Sequence, residues 1–248
     1  MAASVPALFA AAQRGDSMLG AAAAAASARA ATRQTTSAFC GVVGGVGRLA
    51  EHLRDVLVGR GVRVETGVMV RELTRTATGW RLTCGPVPTA YRIDADAVVL
   101  AVPAPAAARL LSDAAPGSAR RLGEVEMASV ALVTLALDRR ELQERGYAMP
   151  GSGFLVPSTE GRAIKASTFS SGKWAWVEAL SDEVVFLRAS FGRAGDVAVL
   201  QRPDDDLVGI AEREVGEAVG FRLPRVVDHH VQRWGGGLPQ YAVGHLDR

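Results

Sequence analysis

The chain has 248 residues and a mass of 26.0 kDa, with 48% hydrophobic, 22% charged and 6% aromatic residues. That balance excludes a disordered, collagenous or coiled-coil chain, and the length suffices to bury a core in one large domain or two small ones. The formal net charge of +2 is evenly spread and leaves no electrostatic footprint for nucleic acid.

Cys40 and Cys84 match no metal or redox spacing and make no disulfide framework, so a reducing cytoplasm is expected. Asn is absent and Lys occurs only at Lys165 and Lys173. This arginine bias reflects coding composition, and it leaves no Asn-x-Ser/Thr acceptor. The most apolar run, Met18 to Ala31, is shorter than the roughly 20 residues a bilayer requires. Ser4 to Ala12 lacks the basic flank of an export signal.

In chain order, residues 1–33 read as Ala-rich helix, with Ser4 and Pro6 suited to its start and Thr35 to Ser37 breaking it. Phe39 to Val43 is a short apolar run before Gly44, Gly45 and Gly47. Leu49, Leu53, Val56 and Leu57 then place one stripe on a helix from Arg48 to Gly59. Val62 to Glu65, Val68 to Leu73 and Trp80 to Cys84 alternate as strands. Asp96 to Val102 (DAVVLAV) is nearly continuous apolar, as in a strand covered on both faces, and Ala106 to Leu111 starts a helix after it.

Residues 127–137 form a long apolar strand, followed by strands at Phe154 to Val156, Ala163 to Thr168 and Val184 to Phe191. Pro203 and Asp204 to Asp206 open a helix whose apolar positions are Leu207, Ile210, Val215 and Val219. Arg225 to Trp234 is a strand, and Gly235 to Gly237 reads as a sharp break. The chain stops at Arg248 in what resembles the first turn of another helix, and it opens on helices with no strand before them. A piece of a larger chain is the expectation.

Gly45-Val46-Gly47-Arg48-Leu49-Ala50 fits G-x-G-x-x-G/A, and Glu65 follows where a ribose-binding acid belongs. It reads either as a pyrophosphate loop on helix N–H groups or as a tight turn that sets a helix against a neighbouring layer. Ser171-Gly172-Lys173-Trp174 is not a phosphate loop, since Ser167 and Trp174 stand where Gly and Ser/Thr are required. Gly151-Ser152-Gly153 is no nucleophile elbow. His229 and His230 on one strand point to opposite faces, so they do not share a metal, and His52 falls on a helix surface. With no triad, metal set or carboxylate pair, a cofactor is expected to carry any chemistry.

Three segments resemble the oxygen-dependent protoporphyrinogen/coproporphyrinogen oxidases of the flavin amine oxidase superfamily. They are Phe39 to Leu49 (FCGVVGGVGRL), Gly153 to Trp174 (GFLVPSTEGRAIKASTFSSGKW) and Arg233 to His245 (RWGGGLPQYAVGH). Asp96 to Leu111 resembles a strand and helix of that family's flavin domain. The resemblance implies an α/β fold with mixed elements: a partial FAD-binding Rossmann-like domain plus a mixed-sheet substrate domain, incomplete at both ends. Its parts are residues 1–47 (helical substrate region), 48–112 (flavin-domain segment), 113–234 (substrate-binding sheet) and 235–248 (return to the flavin domain). Gly45 to Ala50 then connects back into the flavin domain. The family's own dinucleotide loop lies before the first residue here, and its last flavin-contacting segment lies beyond Arg248. The isolated chain is therefore expected to hold FAD weakly and to have little activity.

By this resemblance Val70 meets the adenine of FAD through its backbone, and Trp234 approaches the flavin. Arg162 and Lys165 are candidates for the substrate's propionates. Tyr241 and His245 belong to the signature without an assigned role. The implied chemistry is hydride loss from a porphyrinogen meso carbon to flavin in haem synthesis. Oxygen reoxidises the flavin and gives hydrogen peroxide. The partners are the porphyrinogen and O2, and nucleic acid is not one. Peripheral membrane contact, oligomeric state and the choice between coproporphyrinogen and protoporphyrinogen stay open. Two other readings are a superfamily member acting on an amine or carotenoid, and a nucleotide-binding module around Gly45 to Ala50.

Overall fold

The computed structural model describes residues 6–15, 17–31, 40–149 and 151–245. The expectations at Ser4, Thr35 to Ser37 and Phe39 lie outside them. The chain divides into two compact units, residues 1–50 with 240–248 and residues 51–239.

In the first unit, α1 (Pro6–Gln13) packs against α2 (Met18–Ala31). Proline stands at the start of α1, where its missing N–H costs nothing. The Ser17 hydroxyl accepts the Gly20 N–H at 2.9 Å and caps α2. A hydrogen-bonded turn joins Val42 to Gly45. Its third residue, Gly44, has φ +85°, a conformation that excludes a β-branched side chain.

Helix α3 (Gly47–Gly59) forms where the leucine spacing predicts it. Its stripe is not buried, however: Leu49, Leu53 and Leu57 are 50, 51 and 41% exposed.

The second unit contains two sheets, and every strand pairing in them is antiparallel. This corrects the expectation of a mixed sheet. The smaller sheet is β1 (Val70–Arg75), β2 (Trp80–Cys84) and β3 (Tyr91–Ala95), in that order. Leu73 and Cys84 are buried in it. Two further predicted strands do not form. Val62 to Glu65 takes no strand pairing, and neither does Asp96 to Val102, where Val99 is 90% exposed. A strand exists only where a neighbour satisfies its backbone groups, and no described strand lies alongside either segment.

Helices α4 (Ala104–Leu110) and α5 (Pro116–Gly123) pack on each other. The larger sheet follows. Its strands are β4 (Met127–Asp138), β5 (Gly153–Leu155), β6 (Ile164–Thr168), β7 (Val184–Phe191) and β8 (Val226–Pro239), in the order β5-β6-β7-β4-β8. Strand β8 runs through Gly235 to Gly237 rather than stopping there. A register shift between Ala128 and Val130 takes up the glycines, and the Gly236 N–H reaches the Ser129 hydroxyl at 2.9 Å. Gly153 opens β5 at φ +136°, and a Cβ there would lie 2.2 Å from the Ser167 carbonyl oxygen, so only glycine fits.

Short helices α6 (Arg139–Glu144), α7 (Ser170–Lys173) and α8 (Ala175–Glu178) border this sheet, and α9 (Asp204–Val219) lies across one face. Three aspartates in the first turn of α9 complement its dipole. Its Leu207, Ile210, Ala211 and Val215 meet Ala131, Val133, Leu135, Leu187, Ala189 and Phe191 in the main core. The apolar positions read from the sequence at Leu207, Ile210 and Val215 lie in this layer.

Asp138 closes β4 and caps α6. One carboxylate oxygen accepts the Glu141 N–H at 3.1 Å and the other accepts from Arg225 at 2.8 Å. The Arg225 hydrogen bond, then the Glu141 amide, holds this carboxyl below the usual aspartate range. A depressed folded pKa means stability present above the unfolded value near ~3.9 and lost as pH falls through the lower folded value. Asp138→Asn is therefore expected to lower the urea midpoint at neutral pH, with the gap to wild type closing below about pH 4. A gap unchanged down to strong acid would refute this role.

Candidate functional site

The α9 layer divides the large sheet into a covered face and an open one. Residues directly opposite in an antiparallel pair share a face, and faces alternate along each strand. The register therefore draws one row across the open face: Thr168 of β6, Arg188 of β7, Thr134 of β4 and His230 of β8. The next row holds Leu155, Ala166, Ser190, Leu132 and Gln232, and beyond it Val130 stands opposite Trp234. Arg188, His230, Gln232 and Trp234 are exposed, while Val130, Leu132 and Thr134 are lower and more sheltered. His229 pairs with Leu135 on the covered face, so the two imidazoles point apart as the sequence predicts. Among the described residues no group of three His, Cys, Asp or Glu side chains could hold a metal.

Trp234 sits on the open face with 53% exposure, offering a flat indole and an N–H donor. Arg162 is held elsewhere: it pairs at 2.6 Å with Glu217 of α9, which draws it toward the covered side. Lys165 is half-buried in β6. Burial, followed by the charge of Arg193, pulls its ammonium below the ordinary lysine range. Arg193 itself is fully occupied, donating to the carbonyls of Arg162, Val156 and Ile164 at 3.1, 3.1 and 2.9 Å.

Val70 begins β1, an edge strand of the small sheet. A bulge at Arg71 shifts the register between Val70 and Glu72. Arg109 of α4 pins that bulge, donating to the Arg71 carbonyl at 2.8 Å and the Val70 carbonyl at 3.3 Å. The sequence reading did not single out Arg109 or Arg188. Their only local signal is a charge inside an otherwise apolar element.

The G-x-G-x-x-A segment lacks the surroundings of a pyrophosphate loop. No strand leads into it among residues 40–46, and none follows α3 before Val70. Glu65 is already engaged, accepting from the Tyr91 hydroxyl at 2.7 Å and pairing with Arg63. The Tyr91 bond, then Arg63, holds its carboxyl below the usual glutamate range. In the first unit the Tyr241 and His245 rings of the last motif lie in contact, with centroids 4.5 Å apart.

A family model described as flavin containing amine oxidoreductase matches residues 3–248. The chain belongs to this flavin-containing oxidoreductase family. Coproporphyrinogen III oxidase of Mycobacterium tuberculosis H37Rv is 36% identical over 160 residues, 64% of this chain and 33% of that protein. The enzyme of the same name from Propionibacterium freudenreichii is 32% identical over 230 residues, 86% of this chain and 37% of that protein. A solved structure from Exiguobacterium, assigned as a protoporphyrinogen oxidase, superposes with a TM-score of 0.74 at 25% identity. It is matched over 99% of this chain and 49% of that one. The chain is thus related to coproporphyrinogen and protoporphyrinogen oxidases and spans a third to a half of the length of these relatives. No helix among the described residues is long and apolar enough to cross a membrane.

Proposed function

We propose that this chain serves the FAD-dependent oxidation of a porphyrinogen, coproporphyrinogen III or protoporphyrinogen IX, to its porphyrin in haem synthesis, with O2 as final acceptor. The observation that carries the reading is kinship with coproporphyrinogen III oxidases over 64 to 86% of the chain. The open face of the five-stranded sheet supports it, being broad, half-apolar and edged by an exposed indole.

The described residues suit two parts of FAD. The edge strand at Val70 offers backbone groups to the adenine, and Trp234 offers a flat wall to the flavin. Residues 40–50 do not suit its diphosphate, since among the described residues no strand leads into the turn and none follows α3 before Val70. When bound, FAD supplies the two-electron acceptor. The task of this chain is to hold the macrocycle flat against the sheet and to keep water from that face. Lys165 is a secondary cation for the substrate's carboxylates, weakened by its partial burial. Aromatisation provides the driving force, so positioning suffices without an acid–base dyad.

The test is to give the protein coproporphyrinogen III in air with saturating free FAD, beside a flavin-free control that reports spontaneous oxidation. Slow formation of porphyrin above that control, accompanied by hydrogen peroxide, is expected. Turnover of a primary amine with no porphyrin formed would overturn the reading. In a full-length version that includes the dinucleotide loop, Trp234→Ala is expected to weaken flavin retention through gel filtration, whereas unchanged retention would remove Trp234 from the site.

A further inference from the structure

We propose that Arg188 anchors a carboxylate of the substrate on the open face of the large sheet, with Thr168, Thr134 and His230 flanking it. The inference rests on the function proposed above and names a residue that reads its substrate. Arg188 stands in the middle of β7 between Leu187 and Ala189, both fully buried on the opposite face. The other arginines on this sheet are occupied. Arg193 binds three carbonyls, and Arg233 binds Asp204 and the carbonyls of Leu200 and Arg202. Arg188 is exposed and, among the described residues, makes no hydrogen bond or ion pair.

An unpartnered guanidinium at the centre of a largely apolar sheet gives the sheet nothing. It is a five-donor fork matched to a planar carboxylate. Its register neighbours have the complementary chemistry. The hydroxyls of Thr168 and Thr134 lie on either side, within roughly 5 Å between Cβ atoms, and His230 follows on β8. Among the described residues the acidic groups that alternation places on this face are Asp228, opposite Ala136 one row beyond His230, and Asp138, already taken up by Arg225 and the Glu141 N–H; both lie away from the apolar rows.

The rest of the face fixes the kind of ligand. From Arg188 to Trp234 is two strand spacings, about 10 Å, and four residues along the strands, about 14 Å. The surface between them is Leu132, Ser190 and Val130, apolar or small, with Thr134 and Gln232 at its polar margins. A flat ring with carboxyethyl arms fills such a span: the ring covers the apolar rows and one arm reaches Arg188. An alkyl ammonium would meet a positive charge at the same place.

Coproporphyrin III and its tetramethyl ester, which keeps the ring and removes the charges, are titrated into wild type, Arg188→Gln and Arg188→Lys. Porphyrin fluorescence reports binding. Wild type is expected to prefer the free acid. Arg188→Gln is expected to lose roughly ten- to hundredfold in affinity for the acid with the ester unchanged, as for a lost charge-assisted hydrogen bond. Arg188→Lys recovers part of the loss, and melting temperatures stay level because Arg188 has no partner to lose. The inference falls alone if Arg188→Gln binds the acid as wild type does, if acid and ester weaken together, or if wild type binds both equally. A wild-type protein that binds neither porphyrin overturns the functional reading as well.

Discussion

Phe191→Ala is expected to destabilise the second unit by about 3–5 kcal/mol. The ring is fully buried at the end of β7, directly opposite Ala131 of β4 and Ile164 of β6, in the cluster that α9 covers. Truncation removes contacts on every side and leaves a cavity that close-packed strands cannot fill by small shifts. The melting temperature should fall by roughly 10 °C. A fall of less than about 2 °C would mean that the sheet and α9 do not share this core. The open face should fail with the fold in this variant, whereas Arg188→Gln leaves the fold intact. The pair thus separates loss of the surface from loss of one group on it.

Glu214→Ala is expected to cost about 2–4 kcal/mol, since two amide donors would lose their acceptor in a sheltered place. Glu214 is a buried carboxylate on α9, and its two oxygens accept the N–H groups of Ala163 and Ile164 at 3.2 and 3.0 Å. It fastens the helix to the entry of β6 at a point where apolar packing cannot satisfy the backbone. Glu214→Gln keeps one oxygen and nearly the same shape, so it should recover more than half of the loss in a urea titration. If both variants matched wild type, the helix would be held by its leucine and valine contacts alone.

The elements legible in the sequence are those whose partner is implied by their own period. The α9 pattern of Leu207, Ile210 and Val215 needs a sheet, and the apolar runs of β4 and β7 supply one. DAVVLAV misled for the complementary reason. A continuous apolar run states what cover a segment is suited to, and among the described residues no strand is there to provide it. The glycines at 235–237 looked like an ending because a bulge and an end share the same local composition. Here pairing with β4 carries the strand onward. The row of Thr168, Arg188, Thr134 and His230 could not be read from the chain, since it exists only once the register of four strands is fixed. Trp234 is singled out by its motif alone, and the register adds the face on which it stands.

The position of β4 in the sheet also sets the order in which this unit can be made. It lies between β7 and β8, and the latter is completed only at Pro239, about a hundred residues after β4 has emerged. Loop closure over such separations is slow, and until it happens one flank of the longest hydrophobic strand lacks its mate. A nascent polypeptide interrupted before Val226 would carry that ragged flank into the cell as a template for association with other chains.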